Sequence, residues 1–321
     1  HIVTKLLPEL ENLYAAWEWA FNHRFFGLLS RAIIPFTQFH IYTGLIWDVH
    51  ILINSYSQKL QTIQDSDAKN SDAASADAAS TNAVNAATDQ AQELRTALTY
   101  ASAVFNHHLG NYEQATELML TAQKEVSQFG YLYLAANIEH YLANFHRLAQ
   151  RLQEAQEHFS QAIRYAQDQQ QPYSGISPLL YLASLAIQRG YPDEGETYLK
   201  HAYSLLQEYP DVTIATSYHS ILGTLQHAQG RWSEALATFQ RMIAISSQQR
   251  KPIHEYHNVG KILWQSGCFE KAKEYLEQVD STDRNFFYRP GTYWHTVWLI
   301  DFANLYAAWG QPEQALFYAQ M

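Results

Sequence analysis

The sequence predicts an all-α protein, a right-handed α-solenoid of antiparallel helix pairs about 6–7 repeats long. Three observations lead there. A ten-residue pattern recurs: GNYEQATELM from Gly110, QRLQEAQEHF from Gln150, GYPDEGETYL from Gly190, GRWSEALATF from Gly230, GCFEKAKEYL from Gly267 and GQPEQALFYA from Gly310. Its small residues Ala115, Ala155, Gly195 and Ala235 lie 40 apart, with later steps of 37 to Ala272 and 43 to Ala315. A matching row of small residues precedes each copy at Ala103, Ala143, Ala183, Gly223, Gly260 and Ala303. Only 13 Gly and 9 Pro occur in 321 residues, and alternating Val/Ile/Thr runs are nearly absent, so few turns and no strands are expected.

Each offset in the copy has a physical reason. The glycine ends a first helix in the left-handed conformation that side chains resist. The aromatic or proline after it begins the turn, and the acidic or amide residue falls in the first turn of a second helix, where the macrodipole favours negative charge. The Ala or Gly marks a close helix crossing. Four residues on, Phe159, Leu199, Phe239 or Leu276 packs from the same face, and Ala122, Ala162 and Ala202 continue it.

These features together resemble the tetratricopeptide repeat (TPR), from about Gln90 to the end and over six helix pairs. The period near 40 exceeds the usual TPR length and resembles the superhelices attached to bacterial regulators of the maltotriose-activator type. Upstream, LPELENLYAAWEWAFNHR (residues 7–24) starts a helix at Pro8 and lines up Leu10, Leu13, Tyr14, Trp17 and Phe21 on one face. Its E-L-E-N-L-x-A-A-x-x-W-A pattern resembles the junction at which STAND-class ATPases, AfsR-like and LuxR-like regulators among them, pass into a TPR sensor. Residues 1–62 are therefore read as an N-terminal helical lead-in with a divergent helix pair hinged near Gly44, and 91–321 as the TPR array. Between them, 63–90 contains the Ala/Ser/Asp/Asn-rich run DSDAKNSDAASADAASTNAVNAATDQ, read as a low-complexity linker or loop, flexible or partly helical.

Composition narrows the function. With 21 basic against 31 acidic residues and no Lys/Arg cluster, direct nucleic-acid binding lacks its electrostatic footprint. The apolar stretch 25–47 carries Arg31, Pro35 and His40 and is broken by Gly44, so two buried helices are expected there and no membrane span. Cys268 is alone, which excludes an internal disulfide, and no N-x-[ST] sequon occurs; a cytoplasmic location is expected. The chain opens at His1 and is read as an excerpt of a longer protein.

No catalytic motif stands out. Gly260-Lys261-Ile262 lacks the P-loop spacing, no GxSxG elbow occurs, and in HEYH (residues 254–257) the second His is one residue early for a zinc protease. No convergent set of metal ligands is evident among 15 His residues, so no enzyme activity, metal or cofactor is expected for this segment. Trp294, Trp298 and Trp309 are read as packing residues.

The informative constellation lies on the first helix of each pair, which lines the concave face in TPR arrays. Residues at i, i+4 and i+7 share a helical face. The ladder runs Tyr100, Val104, His107; His140, Asn144, Arg147; Leu180, Ser184, Ile187; Ser220, Thr224, His227; His257, Lys261, Trp264; and Ile300, Asn304, Ala307. One reading is a solvated face with no specific role. The other is a recognition groove formed by Tyr100, His107, His140, Asn144, Arg147, Ser220, Thr224, His227, His257, Lys261 and Trp264. In it Arg147 and Lys261 serve as anion or carboxylate handles, Asn144 and Thr224 as hydrogen-bond partners, and Trp264 and Tyr100 as stacking surfaces. The basic residues are too few and too separated for the chaperone-binding carboxylate clamp of some TPR proteins.

The resemblance implies a non-catalytic sensor or interaction domain of a STAND-type signalling or transcriptional regulator. Its partner would be a protein, a peptide or a small-molecule inducer, with intramolecular contact to an upstream nucleotide-binding module. The alternatives are a passive protein–protein scaffold, or the accessory arm of a protease, kinase or peptide-pheromone receptor.

Overall fold

A computed structural model describes residues 7–71, 78–246, 253–280 and 293–321, and every described element is helical. The fifteen α-helices are α1 (Leu10–Asn22), α2 (Phe26–Thr43), α3 (Ile46–Ser71), α4 (Ala78–His108), α5 (Tyr112–Phe129), α6 (Ala135–Leu148), α7 (Leu152–Asp168) and α8 (Pro172–Gln188), followed by α9 (Pro192–Glu208), α10 (Val212–Ala228), α11 (Trp232–Ser246), α12 (Ile253–Gln265), α13 (Phe269–Asp280), α14 (Tyr293–Ala308) and α15 (Pro312–Gln320). Two compact units are present, residues 1–178 and 179–321.

In the first unit the expected apolar face of α1 is inserted into the core: Trp17 and Phe21 are buried, and the Trp17 ring lies 4.1 Å from that of Phe36 on α2. Helix α2 ends at Gly44, whose φ of 76° turns the chain into α3. The stretch 25–47 thus becomes two helices, and no described helix is long and apolar enough to cross a membrane. In the 63–90 stretch, read as a linker flexible or partly helical, the described residues extend α3 to Ser71 and open α4 at Ala78. The alanines that give this stretch little to bury also have the highest helix propensity, which lets the flanking helices extend into it from both sides. Residues 72–77 lie outside the described set.

From α4 onward the repeat sets the pairing. On the second helices the predicted stripe is inside: Ala115, Met119, Ala122 and Val126 on α5, and Ala155, Phe159, Ala162 and Ala166 on α7. In the second unit, α9 buries Gly195, Leu199, Ala202 and Leu206, α11 Ala235, Phe239 and Met242, and α13 Ala272, Leu276 and Val279. The spacing of four, three and four residues follows the helical period, so one narrow face meets the preceding helix.

The turn within a pair is built as Gly230 shows. Its φ is 75°, its N–H donates to His227 O (3.0 Å), and the next N–H, of Arg231, reaches back to Gln226 O (2.8 Å). This closes the orphan carbonyls of α10 in a Schellman-type end. Gln150 occupies the equivalent place with φ 60°, a left-handed residue without glycine's freedom. The glycine at the crossing of α10 and α11 serves space instead. A Cβ on Gly223 would lie 2.7 Å from Cε2 and Cζ of Phe239.

Candidate functional site

The predicted ladder divides between the two units, and each set is described within its own unit. On α4, Tyr100 is buried at 2% exposure and its ring lies 6.0 Å from Tyr141. It is not a free stacking surface, because it belongs to a buried core cluster to which α1 to α6 all contribute. Burial raises its phenol well above the ordinary value. His107, one helical stretch on, lies 5.0 Å from Phe145 and 5.5 Å from Tyr112, ring to ring. Burial pushes its imidazole down to about 4, helped by His108 and Arg147, so the ring is neutral at physiological pH.

The three α6 residues come together as one local chain. Asn144 is buried and donates to His140 O (3.1 Å), its amide also lies 3.2 Å from His140 Nε2, and its Oδ1 accepts from Arg147 Nε at 3.4 Å. Burial, then the Arg147 charge, brings His140 down to about 4. The exposed end of this chain is a half-buried guanidinium held in place by an amide.

In the second unit Ser220, Thr224 and His227 are half-buried along α10. The Thr224 hydroxyl donates to Ser220 O (3.0 Å), so its proton is committed to its own helix. His227 Nε2 meets Gln265 Oε1 at 2.5 Å, joining α10 to α12. Burial lowers the His227 pKa, Gln265 opposes that shift, and Lys261 adds to it, which locates the ammonium within electrostatic reach. Lys261 forms no ion pair among the described residues. Trp264, three residues on and half-buried, has its Nε1 buried with no hydrogen-bond acceptor among the described residues.

His257 is different. It is 5% exposed, and its Nε2 lies 2.8 Å from Asp301 Oδ2 on α14, with both side chains 7% exposed. It is an interior brace between α12 and α14, not a group offered to a ligand. The last rung, Ile300, Asn304 and Ala307, is exposed, while Asp301 beside it turns inward. Leu180 and Ile187 are buried and Ser184 half-buried.

Polar bridges between neighbouring helices escaped the ladder. In the first unit Ser102 donates to Asn54 Oδ1 (3.0 Å) and Asn106 Nδ2 lies 3.3 Å from His50 Nε2, linking α3 to α4. In the second, Gln265 and Asp301 are the missed partners. Asp301 carried a signal: it is the only Asp, Glu, Lys or Arg in the apolar run YWHTVWLIDFANLYAA. Trp298 and Trp309 pack inside the last helices, Trp298 donating to Leu276 O (3.0 Å) and Trp309 stacking on Phe269 at 5.9 Å. The side chains of Trp294 and His254 lie outside the described residues. Cys268 is exposed in its turn, and among the described residues no group of three His, Cys, Asp or Glu is placed to hold a metal ion.

Helix pairs with this turn, this crossing and this stripe define a TPR-type repeat protein. More narrowly, the MalT-like TPR region model matches residues 67–289, and the chain belongs to that family. No curated protein matches the sequence. Among solved structures, NprR in complex with its cognate peptide NprX is similar with a TM-score of 0.60 at 10% identity, over 99% of this chain and 84% of that one. A tetratricopeptide repeat protein from Parabacteroides merdae gives 0.54 at 11% identity, over 91% of each chain. The Cut9–Hcn1 hetero-tetramer of APC/C gives 0.53 at 15% identity, over 70% of this chain and 39% of that one. At these identities the likeness is one of fold.

Proposed function

We propose that the protein is a non-catalytic binding module that takes a peptide or protein segment on its first-helix face and acts as the sensor arm of a STAND-type regulator in the cytoplasm. The observation that carries the binding reading is on α12. Lys261, half-buried on α12 and three residues before Trp264 on one helical face, forms no ion pair among the described residues. A carboxylate supplied by a partner satisfies it. Within the first unit, Arg147, oriented by Asn144, offers an anion handle of its own. Membership of the MalT-like TPR family and the fold shared with NprR, solved with its peptide, support the sensor reading.

A sensor differs from a passive scaffold in its energetics. Its ligand must bind the inactive and active states with different affinity, since equal affinity shifts no equilibrium. The test is native mass spectrometry of the full-length protein from its host, followed by titration of whatever co-purifies. Lys261→Ala and Arg147→Ala are expected to weaken binding without lowering the melting temperature, and ligand affinity is expected to depend on nucleotide. Unchanged affinity in both variants overturns the site; affinity indifferent to nucleotide reduces the module to a scaffold.

A further inference from the structure

In the first unit a cavity of about 460 Å³ is lined by the start of α5, the end of α6 and the turn that follows it. Ligand sites commonly span about 300–1,000 Å³. Its apolar walls are the ring of Tyr112 at the start of α5 and the side chains of Phe145 and Leu148 at the end of α6. Tyr112 and Leu148 are 56% and 51% exposed, so two large apolar groups are left open around one mouth. The wall also carries Glu113, in the first turn of α5, and Arg151, in the turn before α7. Neither forms an ion pair with the other or with any described residue, although Arg95–Glu125 and Arg24–Asp67 in the same unit are paired.

From this arrangement we propose that the cavity is a binding site for an apolar zwitterion: an α-amino acid or short peptide with an aromatic or aliphatic side chain. The side chain fills the space between Tyr112, Phe145 and Leu148. The carboxylate meets the Arg151 guanidinium, whose planar fork suits two parallel hydrogen bonds, and the ammonium meets Glu113. A nucleotide or polyphosphate is disfavoured, because one cation beside one carboxylate leaves most of its charge unmatched. Neither Lys261 nor Arg147 lines the cavity, so its test is read separately from theirs.

The test is isothermal titration calorimetry on the full chain with L-phenylalanine and the dipeptide Leu-Phe, beside N-acetyl-L-phenylalanine and L-phenylalaninamide, each of which lacks one charge. Saturation of one site by the zwitterions is expected, with about tenfold weaker binding of each capped probe, and the same loss for the zwitterions in Arg151→Gln and Glu113→Gln. Arg231→Gln, at a turn in the second unit, serves as the control and is expected to change nothing. Because Glu113 and Arg151 are exposed and unpaired, both variants keep the melting temperature. Tighter binding of the dipeptide marks a peptide terminus as the source, and tighter binding of the free amino acid marks a metabolite. No binding of either zwitterion, equal binding of a capped probe, or indifference to both substitutions overturns the proposal.

Discussion

Replacing Gly223 by alanine tests whether the α10–α11 crossing is set by space. The new Cβ would sit 2.7 Å from two ring carbons of Phe239 and 3.1 Å from a third. Ordinary carbon–carbon contact is about 3.5–4.0 Å, so the overlap approaches about 1 Å. Phe239 is 1% exposed and cannot swing into solvent. Overpacking of this kind costs about 1–3 kcal/mol, and contact with three ring atoms argues for the upper half of that range. Alanine also gains about 1 kcal/mol over glycine inside a helix. The expected net loss is about 1–2 kcal/mol, or a few degrees in melting temperature. Urea unfolding followed by far-UV circular dichroism reads it directly. Adding Phe239→Leu, which makes room, should recover about 1 kcal/mol or more relative to the sum of the single variants in a double-mutant cycle. A Gly223→Ala protein more stable than the parent means helix propensity governs the position. Strict additivity with Phe239→Leu means the two residues do not meet. Either result refutes the crossing argument.

Gln150, at φ 60°, bears a strain that glycine does not, so Gln150→Gly is expected to stabilise by about 0.5–1 kcal/mol, measured by the urea midpoint. His107 and His140 both have imidazoles pushed down to about 4 by burial, so the unfolded chain binds more protons between their ordinary value near 6.5 and 4. Stability is therefore fully present above pH 6.5 and falls as pH drops through that window, by about 1 kcal/mol per pH unit for each histidine. His140→Asn should flatten the slope in a pH series of thermal melts. Removing one partner of the buried His257–Asp301 pair leaves the other's charge or dipole unmatched, and His257→Ala is expected to cost about 3 kcal/mol or more. A cost below about 1 kcal/mol in chemical denaturation contradicts the buried brace.

The parts legible in the sequence are those fixed by contacts inside one repeat. The turn position could be read even where glycine is absent: register aligned Gln150 with Gly110, Gly190 and Gly230, and its φ of 60° lies in the same left-handed region as theirs. The stripe Ala155, Phe159, Ala162 was legible for the same reason: its period is local and its partner is the adjacent helix. The candidate face was less so. Tyr100 sits at the right offset, yet α2 and α3, which pack on its helix, belong to a part of the chain with no repeat to register against. His257 and Asp301 are 44 residues apart, whereas the ladder advances by 43 between their helices, from His257 to Ile300 as from Gly260 to Ala303. The rung that keeps register therefore falls on exposed Ile300 and passes over its inward neighbour. The polar bridges His227–Gln265 and Asn106–His50 raise a more general difficulty. A polar residue facing the next helix and one facing solvent look the same in a sequence, and only the approach of the partner tells them apart.

The two kinds of glycine differ in how the chain can change around them. At Gly230 a substituted Cβ meets nothing within 4 Å, so the constraint there is a one-body energy belonging to the residue's own backbone. A lone mutation can pay it, as Gln150 already does. At Gly223 and Gly260 the constraint is two-body: it is written jointly with Phe239 and with Leu276 on the facing helices. Turn positions are therefore free to drift singly, whereas crossing positions can move only in matched pairs. Two copies of this repeat can thus diverge at their turns while their helix spacing stays nearly the same, and a recombined array stays in register only if each crossing glycine travels with its own partner helix.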